Sequence, residues 1–440
     1  MAAFTLIAFC AVLLICIGLD VSILYALGFG LLLFLLYGRK KGFAWRDLFR
    51  MVLRGLATVK DILIVFVFIG ALTALWRLGG TIPVIVCYAS ALIQPSVFLL
   101  MTFLLNCGLS ALTGTSFGTA ATLGVLCAAM GSALGVNPLW TGGAVLSGAF
   151  FGDRCSPAST SALLVCAVTK TDIYDNLRRM VRSALAPFLL TCGAYLALGL
   201  WPLGERGQAM DLQAVFGSAF QLHPVAVLPA AVMFLLAACR VKVRWAMGAS
   251  IITAAGVSLF LQGAAPETLL KACLMGYHTT DPALEALLGG GGVLSMAKMA
   301  GIVCLSSSYS ELFQKTQLLS GVQQRIHSLA RKTSAYAATL TTAALASLIA
   351  CSQTLAILLT SQLCTQENPD QGAFACDLED SAVVVAPLVP WCIAGSAPLA
   401  AIGAPLSSLL FACYLYFIPL WRLAADAAGK RKRKAYTFLG

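Results

Sequence analysis

The residue with the clearest chemical potential is Asp153, set in Gly148-Ala149-Phe150-Phe151-Gly152-Asp153-Arg154-Cys155-Ser156-Pro157. Its neighbours are small or apolar. An uncompensated carboxylate at the centre of a bilayer costs about 2.5–3.5 kcal/mol on insertion scales, so a partner, a proton or a cation must answer it. Arg154 offers one answer, a neighbouring ion pair that holds a helix end. The other is a site that takes a cation and a proton in turn, so that competition for the same oxygens couples their movements. Hydroxyl oxygens form the second element of this chemistry. Thr113, Thr115, Ser116 and Thr119 stand among Gly114 and Gly118, and Ser156 follows Asp153. Such hard oxygens suit Na⁺ and serve transition metals poorly. Small residues also let membrane helices approach closely, and the run alone leaves both roles open.

A second polar break, Cys351-Ser352-Gln353-Thr354, lies far downstream and adds Gln353 and Thr354 to the candidates. Glu379 and Asp380 follow the polar stretch Gln366-Glu367-Asn368-Pro369-Asp370, a position that fits acidic ligands or plain loop charges. Lys298 lies inside an apolar run and reads as a snorkelling side chain or a counter-charge; Glu311 reads as interfacial. His223, His278 and His327 are isolated and form no His-Glu-x-x-His pattern, which argues against a metalloprotease. Neither a phosphate-binding glycine loop nor a nucleophile–base pair is visible, so ATP-driven transport and intramembrane hydrolysis lack their machinery.

The elements that must position these residues are membrane helices. Of 440 residues, 60% are hydrophobic and only 11% charged, against about 25% charged in an ordinary soluble domain. The 29 basic and 18 acidic residues leave +11, but the basic ones fall in short clusters between apolar runs, as loops beside an anionic leaflet do. A nucleic-acid partner is therefore not expected. The 16 cysteines are scattered through apolar segments, none closer than Cys10 and Cys16, so they read as small buried hydrophobes and not as a zinc or disulfide framework. Apolar runs begin at 3–19 and 21–37, an uncleaved helical hairpin, and recur to residue 421; several are too short to span alone. The predicted fold is an all-α integral membrane protein of about 10–12 transmembrane helices.

Basic clusters at Arg39–Lys60, Arg178–Arg182, Arg240–Arg244, Lys315–Lys332 and Lys430–Lys434 alternate with neutral or acidic loops carrying Glu205, Asp211, Glu267, Asp281 and Glu285. By the positive-inside rule the basic loops and both termini are cytoplasmic. Residues 1–60 then form the hairpin and a basic loop, 61–201 and 292–421 two halves, 202–291 the connection and external loops, and 422–440 a basic tail. The two halves cross in opposite senses and share an order: span, polar stretch, broken segment, carboxylate beside Ser and Pro, final span. Matched broken segments in two inverted halves mark secondary transporters, because backbone exposed at membrane depth is tolerated only against protein or a water-filled cavity, and the short runs can form either crossings or re-entrant hairpins.

The run Ala111-Leu112-Thr113-Gly114-Thr115-Ser116-Phe117-Gly118-Thr119, with the Asp153 segment, Thr171-Asp172, Arg178-Arg179-Met180, Gln353-Thr354-Leu355-Ala356, Leu378-Glu379-Asp380-Ser381 and Pro387-Leu388-Val389-Pro390-Trp391, resembles the NhaC-type Na⁺/H⁺ antiporter family. The resemblance covers most of residues 60–420. It implies a multi-pass transporter of the cell (inner) membrane that exchanges Na⁺ for H⁺ with no cofactor beyond the ions it carries, and no enzymatic activity. Some relatives exchange organic anions of the malate and lactate type, which makes a Na⁺/H⁺-coupled exchanger of organic anions or amino acids the alternative. The partners implied are the bilayer and a small cation, or on that alternative a small organic anion; a homodimer is left open. The family pattern continues Ser-Asp-Thr-Thr-Asn after Ser-Pro. Here Ala158-Ser159-Thr160-Ser161-Ala162-Leu163 follows, placing Thr160 at the acidic position and Leu163 at the amide.

Overall fold

The computed structural model describes residues 21–57, 59–92, 94–201, 212–239, 241–316, 334–350, 352–365 and 370–437, with isolated residues between 5 and 16. Most of the first apolar run, Glu205, Asp211, Arg240, Arg325, His327, Arg331, Lys332, Cys351 and residues 366–369 lie outside the described residues. Within them the regular structure is helical, apart from one isolated bridge between Tyr277 and Gly290.

We number the helices α1 (Ile23–Lys40), α2 (Trp45–Ala57), α3 (Lys60–Leu78), α4 (Thr81–Leu92), α5 (Pro95–Thr113), α6 (Ser116–Ala133), α7 (Pro138–Cys155), α8 (Thr160–Thr169), α9 (Ile173–Leu200), α10 (Leu212–Gly217) and α11 (Leu228–Ala238). They continue as α12 (Val243–Phe260), α13 (Pro266–Met275), α14 (Pro282–Leu288), α15 (Ala297–Thr316), α16 (Ala335–Ala350), α17 (Gln353–Cys364), α18 (Gln371–Glu379), α19 (Ala382–Val385), α20 (Ile393–Ala401) and α21 (Cys413–Thr437). Helices α3, α5, α6, α9 and α12 are long and apolar enough to cross a membrane; Gln371–Leu388 and Ile393–Ala401, bent by 56°, make a sixth if taken as one span. Other apolar runs fold as shorter pieces, among them Ala335–Leu348 and Gln353–Cys364.

The interruptions follow from local chemistry. α5 starts on Pro95, whose missing N–H costs nothing in a first turn, and stops at Gly114, left-handed at φ 67°, whose N–H returns to the Ser110 carbonyl at 2.7 Å. α7 is capped by Asn137, accepting from the Leu139 N–H at 2.9 Å. It ends at Ser156, and Ser159 caps the restart of α8 by accepting the N–H groups of Ser161 and Ala162 at 3.1 and 3.2 Å. Asp172 and Asp370 cap α9 and α18 in the same way.

Helices α5 and α7 pack closely because α7 presents Gly148 and Gly152 to α5. A Cβ on Gly148 would stand 2.6 Å from the Phe103 carbonyl oxygen, and one on Gly152 would collide with the Ser110 backbone. This seam fixes Asp153, one residue further on, beside the α5–α6 break. Gly114 carries the same constraint in the break itself, since a Cβ there would lie 2.5 Å from the Ala158 carbonyl carbon on a backbone that L-residues rarely adopt. Gly114→Ala is expected to separate the two breaks and lower the thermal midpoint of the purified protein. An unchanged midpoint would show that the breaks tolerate being pushed apart.

Candidate ion-binding site

Both broken segments deliver their polar residues to one cavity of about 770 Å³. Thr115, Ser116, Phe117 and Gly118 reach it from the start of α6, Ser352, Gln353 and Thr354 from the start of α17, and Asp153 from the end of α7. Thr160 and Ser161 open α8 on the same wall; Ile393, Ala394, Ala397 and Pro398 of α20, with Ile62 and Val65 of α3, supply an apolar one.

Asp153 is only 4% exposed. Its Oδ2 accepts from the Ser161 hydroxyl at 3.1 Å and from Gln353 Nε2 at 3.0 Å; Ser159 Oγ stands 3.4 Å from Oδ1 and donates more closely to the Asp153 backbone carbonyl. Gln353 also donates to the Val383 carbonyl at 3.0 Å, and its Oε1 accepts from Ser161 at 3.3 Å. The carboxylate therefore joins residues 200 positions apart in the chain through an amide, with no cationic side chain bonded to it among the described residues. Burial without a counter-charge is the condition under which a carboxyl group takes up a proton or a small cation.

Arg154, adjacent in sequence, turns the other way. Its Nε donates to Asp380 Oδ1 at 3.1 Å and its Nη2 forms a close ion pair with the same oxygen; Nη1 donates to the Met180 carbonyl and to Cys155 Sγ, each at 3.1 Å, and Nη2 also to Ser183 Oγ at 2.7 Å. The reading of Arg154 as the partner of Asp153 is thus corrected: the helical turn sends the two side chains to different sides, and Arg154 is spent on Asp380. Both members of that pair are essentially inaccessible, at 0% and 1%. Glu379 and Asp380 are not loop charges either, because α18 carries them inward from its exposed Asp370 cap; Glu379 is 1% exposed and its Oε2 lacks a hydrogen-bond partner among the described residues. Neither lines the cavity. Nearby, Asp377 accepts from Arg422 of α21 at 2.9 Å, closing a second ion pair.

The candidates divide accordingly. Asp153, Thr115, Ser116, Thr160, Gln353 and Thr354 meet at the cavity. Thr115 Oγ1 is buried and has no hydrogen-bond partner among the described residues, and Gly118 makes room for it, since a Cβ there would collide with that oxygen and press on Val243 at 2.8 Å. Thr113 is a brace: its hydroxyl donates to Leu109 at 3.0 Å and lies 3.3 Å from that of Thr119. Ser156 donates to the Ala111 carbonyl at 2.8 Å, tying the end of α7 to α5. Ser352 of the second polar break lines the cavity as well, and Ser161 and Ser307 add cavity oxygens that the sequence motifs did not single out as ligands. A signal existed for Ser161: a capping serine two residues after a proline restarts a helix and turns its first side chains back to the preceding helix end.

The sequence profile described as the Na⁺/H⁺ antiporter family matches residues 1–169 and 163–421. The chain belongs to the Na⁺/H⁺ antiporter family. Within this family it is similar to the Na⁺/H⁺ antiporter NhaC of Bacillus subtilis, 29% identical with 86% of each chain covered. It is also similar to the malate-2H⁺/Na⁺-lactate antiporter of the same organism, 26% identical over 91% of this chain and 88% of the relative. The arginine/ornithine antiporter ArcD of Halobacterium salinarum is 27% identical over 84% and 79%. These relatives differ in what their names say they carry, so family membership by itself does not choose the cargo.

Proposed function

We propose that this chain is a secondary active transporter exchanging Na⁺ for H⁺ across the cell membrane, and not an enzyme. The observation that carries the reading is Asp153: a buried carboxylate with no cationic partner among the described residues, at the meeting point of two broken segments, in a chain of this family. In the protonated state the carboxyl group is neutral and the Gln353 and Ser161 bonds hold it between the two halves. When Na⁺ replaces the proton, Asp153 supplies its charge, and Thr115, Ser116, Thr160, Ser161, Gln353 and Thr354 are among the neutral oxygens lining the cavity. Occupancy by one cation excludes the other, which is the coupling an exchanger needs. Glu379 and Asp380 then act from behind, Asp380 by holding Arg154 away from the site. On this reading residues 61–201 and 292–421 are inverted halves, linked by 202–291 and flanked by 1–60 and 422–440, with both termini cytoplasmic.

The alternative, a Na⁺/H⁺-coupled exchanger of organic anions or amino acids, draws on Thr160. Where the family pattern has an acidic residue, this side chain is neutral, exposed and on the cavity wall. Thr160→Asp in proteoliposomes tests its place in the cation shell. The expected result is a Na⁺ half-saturation lowered about tenfold, the equivalent of ~1.4 kcal/mol of added attraction. An unchanged value removes residue 160 from the shell.

A further inference from the structure

A second cavity, about 530 Å³, lies beyond the first along three shared helices. On α3 the first cavity is lined by Ile62 and Val65 and the second by Thr73 and Arg77; on α6 by Ser116–Gly118 and then by Val125, Ala128, Ala129 and Ser132; on α20 by Ile393–Pro398 and then by Ala400 and Ala401. Ile62 and Thr73 are separated by roughly 16 Å of helix at the standard rise. Buried residues on the stretches between, Phe66, Ile69, Ala121 and Leu399, divide the two spaces, with Phe66 set edge-on to Phe117 at 5.8 Å.

The second cavity differs from the first in charge. Two cationic side chains line it, Arg77 and Lys298, and no carboxylate does. Lys298, expected from the sequence to snorkel or to act as a counter-charge, is on this wall. Arg77 Nη1 is buried and has no hydrogen-bond partner among the described residues. The glycine run 289–292 passes directly over it: Gly290, Gly291 and Gly292 take φ values of 108°, 79° and 81°, and a Cβ on Gly291 would stand 2.8 Å from Arg77 Nη1. Glu285, the acidic group whose charge Arg77 feels, is engaged elsewhere, its two oxygens accepting from the Thr279 N–H at 2.9 Å and from His278 at 2.8 Å. Those bonds, the Thr279 amide first, hold its carboxyl below the usual range, so it stays ionised and fixed in place. A guanidinium with a buried Nη1 left open toward a cavity is complementary to an anionic oxygen, and its planar geometry suits a carboxylate. The hydroxyls of Thr73, Thr141 and Ser295 donate to backbone carbonyls at 2.9, 3.3 and 2.7 Å, so the charged donors Arg77 and Lys298, with the Ser132 hydroxyl, are what the described lining offers an anion.

We propose that this second cavity binds a small carboxylate anion, gripped by Arg77 with Lys298 as a second charge, on the far side of the buried layer from Asp153. Such a site sits where a solute would enter or leave by the opposite face, and a wall of this sign favours an anion there over Na⁺. The proposal does not depend on Na⁺/H⁺ exchange, because equilibrium binding needs no flux. The test is binding of radiolabelled lactate to the purified full-length protein by equilibrium dialysis, with chloride as competitor. The variants are Arg77→Gln, Arg77→Lys, Lys298→Gln and Asp153→Asn. Wild type is expected to bind lactate, Arg77→Gln to weaken it by about tenfold or more, Arg77→Lys to recover part of the loss, and Asp153→Asn to bind as wild type. Arg77→Lys and Lys298→Gln also guard against a folding defect specific to Arg77→Gln, since each perturbs the grip while keeping a charge in the cavity. Failure of wild type to bind, undiminished binding in Arg77→Gln, loss confined to Asp153→Asn, or equally tight displacement by chloride would each overturn the assignment.

Discussion

Replacing Asp153 by Asn is expected to reduce Na⁺-driven proton movement to that of protein-free vesicles while leaving the protein folded and inserted. The amide keeps the size of the carboxyl group and can still meet the Ser161 hydroxyl, now through its carbonyl oxygen. The same oxygen can still accept from Gln353 Nε2, because both bonds go to the Oδ2 position, and the new NH2 group falls at the Oδ1 position beside Ser159 Oγ. A buried charge is removed with both bonds kept, so stability changes little. What disappears is the one carboxylate that, among the described residues, lines the cavity and can exchange a proton for a cation. Asp153→Glu, which restores the charge one methylene further out, should return part of the flux. Equal loss in Asn and Glu variants of normal abundance would mean that the position matters by shape and not by charge.

Asp380→Asn is expected to damage the fold itself. It leaves the Arg154 guanidinium, 0% exposed, without its counter-charge between α7, α9 and the α18–α19 break. Breaking one side of such a buried pair costs about 3–5 kcal/mol, whereas replacing both partners by apolar residues of similar volume is often near neutral. The double variant Arg154→Met/Asp380→Leu should therefore regain much of the thermal stability and yield lost by Asp380→Asn alone, measured by fluorescence-detected size exclusion after heating. A double variant as unstable as the single one would show that the pair is not what holds these elements together. The contrast with Asp153 is the point: two adjacent acidic sites in space, one built to stay paired and one left open.

Much of this arrangement was legible in the sequence because it rests on local rules. Gly114, Asn137, Pro138, Ser159 and Asp370 each dictate a helix end from their own backbone or side-chain chemistry, and the first polar break follows from Gly114. The charge deficit and hydropathy fix the solvent as lipid without any knowledge of packing. Pairings across the chain were not legible. Whether Arg154 answers Asp153 or Asp380 depends on which way α7 is rotated against α9 and α18, and that is set by Gly148 and Gly152 fitting α5, a contact no periodicity reports. Whether Glu379 and Asp380 were ligands or loop charges stayed open because they follow a polar stretch by about ten positions; a single capped helix, α18, takes them from solvent to the interior in that distance. The second cavity escaped notice for a similar reason. Arg77 ends a span, where a cation is ordinary, and only the fold of the 289–292 glycines over it turns an interfacial side chain into a buried one.

The most direct test of the central claim is the collapse of a pre-formed pH gradient by Na⁺ or Li⁺ in everted membrane vesicles, with wild-type protein and Asp153→Asn side by side, in the absence of organic solutes. The account predicts rapid collapse by either cation with the wild type and none above background with Asp153→Asn at equal abundance. Collapse by Asp153→Asn at the wild-type rate would contradict the role given to that carboxylate, and a wild-type response that requires an added organic solute would contradict simple Na⁺/H⁺ exchange.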